Sequence, residues 1–384
     1  MLSSTLGVHA FLLLSILYSA LETCNMSEYV MTWPTTRCNS HLRQLLFQLI
    51  SPTSLRGLSA LSVVLFHFTT MYDRTFGHKE SYIFNFKYGS LGVQLFFMIS
   101  GFVIYMTIIK STSLKEFIIK RSIRLYPAYI TSVIITFLVT TIADLKPLTV
   151  GFVDFLINLT MVYGVIPFGI KAVDGVYWSL FIEISFYIIC GFLLSIGLIN
   201  RPIINSFVAL ILIFTIKILF LNHLLHPILG DLGIVNFTNL FIAGIMFFVL
   251  KNSKNKVCHL IMLLCLLFEF CFKGTVAGLF VAAFCLVFYA LIYNKLGFIN
   301  KPFITYLGTI SYSLYLIHSY IGYIIINQLE KNGFTNELFI IVPLLVSVGL
   351  AHVITFHIEK PVQKYLLNKF HTRKIKTSQD SVTL

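Results

Sequence analysis

Charged side chains are scarce in this chain of 384 residues. Asp, Glu, Lys and Arg together supply 11% of the sequence, and hydrophobic residues supply 57%. An ordinary soluble domain contains about 25% charged residues. The composition therefore argues against a soluble protein, and it predicts an integral membrane protein that crosses the bilayer several times.

Acidic residues are scarcer than basic ones, with 15 Asp and Glu against 28 Lys and Arg and a formal net charge of +13. This balance does not require a nucleic-acid partner, because Lys and Arg gather on the cytoplasmic side of membrane proteins. We therefore expect membrane lipids, and no nucleic acid, around the chain. The basic stretch at 364–376 fits either topology anchoring, which we favour, or binding to anionic lipid.

Metal-binding signatures are also missing. The 7 Cys residues form no CxxC pair, and no HExxH sequence is present. We therefore expect no metal site and no metal cofactor. Cys24 and Cys38 are able to pair only if they face an oxidising compartment.

Long apolar runs, in contrast, are abundant and regularly spaced. They predict an all-α fold, a polytopic membrane bundle of about ten transmembrane helices. A further run at 149–165 is short and contains Asp154 and Asn158, so we expect a partial or re-entrant helix there that does not cross. The predicted spans are 55–72, 90–109, 127–143, 177–197, 203–221, 235–250, 257–272, 274–294, 303–327 and 337–357.

The distribution of cations supports this topology. Of the 28 Lys and Arg residues, nineteen fall on the side of the C-terminal tail, and Arg37 and Lys217 fall on neither side. Cations gather in the cytoplasm, so we expect a multi-pass protein of the cell membrane, inner or plasma, with a cytoplasmic C-terminus. A full crossing at 149–165 would remove this asymmetry. The seven cations of the other side are Arg74, Lys79, Lys87, Lys146, Lys171, Lys273 and Lys331.

Residues 1–44 form a separate N-terminal extension. Its apolar run at 7–20 is shorter than an ordinary span and follows no basic residue, so a signal anchor, an extra span and an upstream extension of the reading frame all fit. A cleaved signal peptide would place residue 41 outside, against the cation distribution, so we disfavour cleavage. We expect the membrane domain at 45–370 and a basic and polar cytoplasmic tail at 371–384.

The most informative stretch is 55–68, which is apolar apart from Arg56, His67 and two serines. Eleven residues separate Arg56 from His67. In an α-helix they would share one face to within about 20° and lie about 16 Å apart along the axis. For two isolated residues, an anchoring arginine and a hydrogen-bonded histidine in the bundle explain the pair better. The features below reverse that preference.

Other spans carry ionisable groups that are usually functional inside a membrane. Glu183 lies near the predicted outer end of its span, and His318 lies slightly to the outer side of the middle of another span. We therefore expect His67, Glu183 and His318 to share one depth. Tyr187 is four residues after Glu183 and shares its helix face.

Two further positions remain open between site and scaffold. Trp178 fits either an interfacial anchor or a site residue, at even weight. Tyr315 and His318 share one helix stripe, which fits either interhelical hydrogen bonding or a site. Arg121 and Arg124 are i, i+3 neighbours whose guanidiniums form a fork suited to phosphates. On their spacing alone, cytoplasmic anchoring is the better explanation of the two arginines.

Taken in chain order, these stretches resemble the acyltransferase 3 family of integral membrane O-acyltransferases over about residues 45–370. Members of that family usually carry an Asp three residues before the motif arginine. This chain has Thr53 at that position, so another group must orient Arg56. The matching pieces are Leu-Arg-Gly-Leu-Ser-Ala leading to His67, Gly92 to Phe102, Arg121-x-x-Arg124 with Tyr126-Pro127, Trp178-Ser-Leu-x-x-Glu183 with Phe186-Tyr187, Ser311-Tyr312 through His318, and Glu359-Lys360-Pro361.

The resemblance implies transfer of an acyl group, often acetyl, from cytoplasmic acyl-CoA to a hydroxyl of a carbohydrate or lipid-linked glycan across the membrane. It also implies that His67 is catalytic and that Arg121 and Arg124 help to bind the donor. We expect acetyl-CoA or another acyl-CoA as donor, with Arg56 joining the two other arginines at its phosphates. His67 is the expected general base, oriented or stabilised by Glu183.

Four aromatic and imidazole side chains complete the expected site. Trp178, Tyr187, Tyr315 and His318 are candidate contacts for the acceptor or the transition state, and Tyr315 or His318 is a candidate for stabilising the oxyanion. The alternative function is a proton-coupled transporter of a small acid or lipid, with the His and Glu residues as a relay. We find no internal inverted repeat of the kind that transporters often contain.

Overall fold

The structure is a computed structural model, and it describes residues 40–78, 85–161, 169–226, 232–334 and 340–380. In these ranges the regular structure is helical, and no strand is present. The apolar run at 7–20, Cys24 and Cys38 lie outside the described residues.

Twelve helices of at least seven residues follow one another along the described part of the chain. Two of them pass through π-helical turns, α1 at His67–Met71 and α11 at Ile354–Glu359. After its π turn, α1 continues into a short helix at Tyr72–Phe76. The helices are α1 (Ser40–Phe66), α2 (Gly92–Ile108), α3 (Leu114–Ala143), α4 (Phe152–Asn158), α5 (Trp178–Ser195), α6 (Pro202–Leu221), α7 (Gly233–Ser253), α8 (Val257–Phe272), α9 (Thr275–Ile292), α10 (Pro302–Lys331), α11 (Ile341–Val353) and α12 (Lys360–Asp380).

Each predicted span falls on one of these helices. Within the described ranges, 8 helical stretches are long and apolar enough to cross a membrane, and α8 is apolar but shorter. The prediction of a polytopic helical bundle is confirmed. One boundary is wrong: α3 begins at Leu114 and not at 127, so Arg121 and Arg124 lie inside a 30-residue helix.

The extension of α3 through Pro127 has a local explanation. Proline cannot donate to the carbonyl four residues earlier, which weakens a helix at that point. The neighbouring carbonyls gain side-chain donors from other helices, since Tyr312 donates to the Leu125 oxygen (3.2 Å) and Gln363 donates to the Arg124 oxygen (3.1 Å). Such partners make proline tolerable inside a membrane helix.

Helices α1 and α10 form the centre of the bundle and run in the same direction. Gly57 lies on Gly308, and the His67 ring meets His318 at a separation of 251 residues along the chain. Tyr72 packs against Tyr323 at the same separation. A Cβ atom on Gly308 would lie 1.9 Å from the Thr53 oxygen, so glycine is required for this close crossing.

The short helix α4 lies beside a described residue that follows it in the chain, Lys171. Lys171 donates from its backbone to Asp154 (3.4 Å), and its carbonyl accepts from Asn158 (2.9 Å), so Lys171 lies beside the helix that precedes it. Seven residues of α4 span only about 10 Å. The described residues on the two sides of the segment therefore lie close together.

Helices α3 and α5 run in opposite directions, as consecutive spans must. Tyr129 packs against Tyr177 just before α5, whereas Leu114, at the start of α3, approaches Gly191 near the end of α5. A full crossing between them would have made these helices parallel. The geometry agrees with the prediction that 149–165 does not cross.

Candidate active site

A cavity opens where α1, α2, α3, α5 and α10 meet. It encloses about 690 Å³ of space, including the part that is open to solvent. Three guanidiniums and one carboxylate face it, which leaves two net positive charges. Its lining residues are Arg56, Val93, Phe96, Phe97, Ser100, Ile104, Arg121, Arg124, Leu125, Ser179, Leu180, Glu183, Tyr187, Ser311, Tyr312 and Tyr315.

The three arginines are held in different ways. The Arg121 guanidinium lies over the rings of Phe117 (5.6 Å) and Tyr187 (5.4 Å) and hydrogen-bonds Thr107. Neither Arg56 nor Arg124 forms an ion pair with a described residue. The guanidiniums of Arg56 and Arg124 are therefore available to an anionic ligand.

Glu183 provides the negative charge near Arg56 that Thr53 does not. Its Oε1 atom accepts hydrogen bonds from Tyr187 (2.7 Å) and Ser100 (3.1 Å), which confirms that Glu183 and Tyr187 share a helix face. Arg56 lies within range of the Glu183 charge. The arrangement leaves the carboxylate among the arginines.

The expected contact between Glu183 and His67 is absent from the described structure, and the expected common depth is wrong for Glu183. The start of α5 lies at the level of His318, because the backbone of Tyr320 donates to Asp174 (3.0 Å). Residue 183 lies nine positions after Asp174, about 13 Å further along if the path is helical. That distance brings Glu183 to the level of Arg56, because the helix begins inside the bundle and not at its outer edge.

His67 and His318 do share one depth, and they are in direct contact. The Nδ1 atom of His67 lies 3.2 Å from Nε2 of His318 and 2.8 Å from the Val63 oxygen. The two rings meet edge to face, with centroids 4.8 Å apart. His318 is fully buried, whereas His67 is partly exposed.

His318 is not placed to stabilise an oxyanion, as one of the expectations had it. Its Nδ1 atom lies 3.1 Å from the Leu314 oxygen and 3.0 Å from the Tyr315 oxygen, and Nε2 faces His67. Tyr315 stands between the two parts of the site: its hydroxyl lines the cavity side, bonded to Ser179 (2.7 Å) and Val176 (3.2 Å). The Tyr315 ring packs near His318 (5.9 Å).

A comparison with protein families places this chain. The sequence model described as an acyltransferase domain, that of acyltransferase 3, matches residues 49–357. This match covers most of the chain, including every arginine and histidine of the site. The chain belongs to the acyltransferase 3 family.

Among curated proteins, this acyltransferase 3 family member is similar to Nodulation protein 10 of Rhizobium leguminosarum bv. viciae. The two are 28% identical over 133 residues, which is 30% of this chain and 36% of the relative. The match thus spans about a third of the relative's length. No solved structure matches the chain.

Trp178 also lies within the matched range, but it stands at the periphery of the site. Its side chain is 42% exposed and packs on Phe97 (6.3 Å) and Phe237 (5.5 Å). It does not line the cavity. This location fits an anchor better than a donor contact, and a role toward the acceptor stays a prediction.

Two residues that position the site were not singled out from the sequence. Ser100 donates to Glu183, and its only signal was a small hydroxyl in the apolar stretch before Gly101. Asp174, fully buried, accepts from Tyr320 (3.0 Å) and Val176 (3.1 Å). Asp174 therefore fastens the start of α5 to α10 beside His318, and an aspartate before a helix is a familiar capping signal.

Proposed function

We propose that the chain is a membrane-embedded O-acyltransferase. It takes an acyl group, with acetyl expected, from acyl-CoA on the cytoplasmic side. It passes that group to a hydroxyl of a carbohydrate or lipid-linked glycan at or beyond the outer face of the cell membrane.

The observation that carries this proposal is that a cavity lined by three arginines and the imidazole of His67 are separated along α1. Arg56, Arg121 and Arg124 converge on one cavity, and His67 lies on the Arg56 helix eleven residues further on, about 16 Å along the axis. Acyl-CoA has the same division, with phosphates at one end of a long arm and the thioester at the other. The arginine cavity suits the phosphates because guanidiniums bind them in bidentate fashion.

His67 is the proposed general base. The acceptor hydroxyl would lose its proton to the imidazole while its oxygen attacks the thioester carbonyl carbon. The carbon–sulfur bond then breaks, and the departing thiolate recovers the proton. Imidazole suits both halves of this cycle because its unperturbed pKa lies near neutrality.

Glu183 has a different proposed role from the one the sequence suggested. It lies among the arginines and accepts hydrogen bonds from Ser100 and Tyr187. There it limits the repulsion between three guanidiniums when the donor is absent, and it positions Tyr187 beside Arg121. Its effect should be on donor binding.

The test is donor binding by the purified protein in detergent. We expect CoA to raise the thermal unfolding midpoint, because a ligand that binds only the folded state stabilises it. Pantetheine, which has the same arm without phosphates, should give a much smaller shift at equal concentration. Equal shifts from the two compounds, or no shift from CoA, would contradict the proposed donor.

A further inference from the structure

The positions of the hydrogen atoms on the two contacting histidines follow from their neighbours. The Nδ1 atom of His318 lies 3.1 Å and 3.0 Å from two backbone carbonyl oxygens, those of Leu314 and Tyr315. A carbonyl oxygen only accepts hydrogen bonds. Nδ1 of His318 therefore carries a hydrogen, and in the neutral ring Nε2 has the lone pair.

The hydrogen on the His67 ring is also fixed by its neighbours. Its Nδ1 atom lies 2.8 Å from the Val63 oxygen, so this nitrogen also carries a hydrogen. A protonated Nε2 on His318 would then point at another N–H across 3.2 Å, which is repulsive. The consistent assignment has His318 Nε2 accepting from His67 Nδ1, a bond shared with Val63.

We propose that His318 is a positioning residue that, together with the Val63 carbonyl, holds His67 in the tautomer with its proton on Nδ1, leaving the Nε2 lone pair to act as the base. This inference rests on the proposed acyl transfer and adds to it the reacting atom and the residue that selects it. When Nε2 of His67 takes the proton of the acceptor hydroxyl, the imidazolium keeps its Nδ1–H bond to His318. In Ser-His-Asp triads a carboxylate holds the catalytic histidine in one tautomer. Here a neutral imidazole takes the place of that carboxylate.

The surroundings of His318 keep its ring in place. Phe68 fills the space over Gly322, where a Cβ atom would lie 2.1 Å from the Phe68 ring, and Asp174 accepts from the Tyr320 backbone next to His318. Together they fix this turn of α10 against α1 and α5. A fixed acceptor is what a tautomer-selecting residue requires.

The titratable groups around the pair come from three elements. Tyr323 of α10 faces His67, with ring centroids 6.4 Å apart, and Tyr315 lies beside His318. Asp174, which precedes α5, accepts a hydrogen bond from the Tyr320 backbone, two residues after His318. Further out are Tyr72, in the short helix that follows α1, and the hydrogen-bonded pair of His78 and Glu330 at 2.8 Å.

The experiment compares His318→Leu with His318→Gln in the purified full chain. The Gln side chain can present its carbonyl oxygen near the position of Nε2, whereas Leu has no acceptor. We expect Leu to lower kcat/KM by about 10- to 100-fold, the size of the loss when a metal-bound histidine loses the group that fixes its tautomer. The acid limb of the pH profile should move to lower pH, because the imidazolium of His67 loses an acceptor. Gln should restore part of the rate and the wild-type limb.

The control is His352→Leu, which removes another histidine that bonds to α10, through Tyr306 (3.0 Å). It should leave the rate and the pH profile unchanged. CoA-induced stabilisation should be the same in all these variants, since the arginine cavity is intact. If His318→Leu does not fold, His318→Gln is compared with wild type alone: an acid limb that moves to lower pH in Gln, although Gln keeps an acceptor, overturns the inference.

The outcomes separate this inference from the proposed function. If His67→Ala is inactive but His318→Leu keeps the wild-type rate and pH profile, the positioning role is wrong and acyl transfer stands. A similar loss in Leu and Gln with an unmoved pH limb also overturns the positioning role. If His67→Ala retains wild-type turnover, the base itself is wrong.

Discussion

Tyr187 donates a 2.7 Å hydrogen bond to Glu183, and both side chains line the cavity that also holds three arginines. The arginines in this cavity place Glu183 at the end of the site opposite His67. A carboxylate among guanidiniums affects anion binding directly, whereas a carboxylate behind a base affects proton transfer. The two roles predict different phenotypes.

Glu183→Gln removes a negative charge from the cavity that the three arginines line. We expect CoA affinity to rise about fivefold, the size of a charge interaction of about 1 kcal/mol, and the pH dependence of turnover to stay unchanged. Titration of purified protein with CoA checks the affinity. Glu116→Gln is the control, since Glu116 pairs with Lys120 (2.7 Å) outside the cavity. A shifted pH profile with unchanged CoA affinity would instead indicate that Glu183 supports His67 in proton transfer.

Replacing Arg121 and Arg124 together with Ala should raise the donor KM and leave the acceptor KM unchanged. Each charge-assisted phosphate contact is worth roughly 1.5–3 kcal/mol. Lys at both positions should rescue only partly, because ammonium groups lose the bidentate fork. Arg201→Ala, a cation outside the cavity, should behave as wild type. An effect confined to the acceptor KM would contradict a donor site in this cavity.

Gly308→Ala tests the crossing of α1 and α10. The added Cβ would lie 1.9 Å from the Thr53 oxygen, a backbone atom that cannot move alone. We expect a loss of about 1–3 kcal/mol in the free energy of unfolding, as overpacking usually costs, and lower turnover as His318 shifts from His67. Gly349→Ala in α11 is the control because nothing lies within 4 Å of its Cβ position. Equal unfolding midpoints in the two variants would show that the crossing is looser than described.

Lys146 and Lys171 flank the re-entrant segment, and both are exposed. We expect single cysteines at these positions, in a background without native Cys, to be labelled by an impermeant reagent from the same side, the outside. Lys254→Cys, on the predicted cytoplasmic side, should be labelled only after the membrane is opened. Labelling of residue 146 but not 171 from outside would place 149–165 across the membrane.

The sequence was sufficient for the positions of the helices, because apolar length reports directly on membrane-spanning segments, and the sides of the membrane stay a prediction. It misplaced Glu183 because depth was counted from the ends of apolar runs. The run at 177–197 begins inside the bundle, where Asp174 bonds to Tyr320. Hydropathy contains no signal for such a start.

The pairing of His67 with His318 also lay beyond sequence reasoning in its detail. Both residues were expected at one depth, but contact requires α1 and α10 to be parallel neighbours at a fixed offset. Gly57 and Gly308 set that offset through backbone contact. Two glycines 251 residues apart in a chain with 22 of them give no such signal on their own.

The most direct test of the account measures release of CoA from acetyl-CoA by membranes that contain the chain and an acceptor glycan. Wild type should release CoA well above membranes without the chain, and His67→Ala should fall to that background while keeping CoA-induced stabilisation after purification. Equal release by wild type and His67→Ala, or no release by wild type above background, would contradict the central claim.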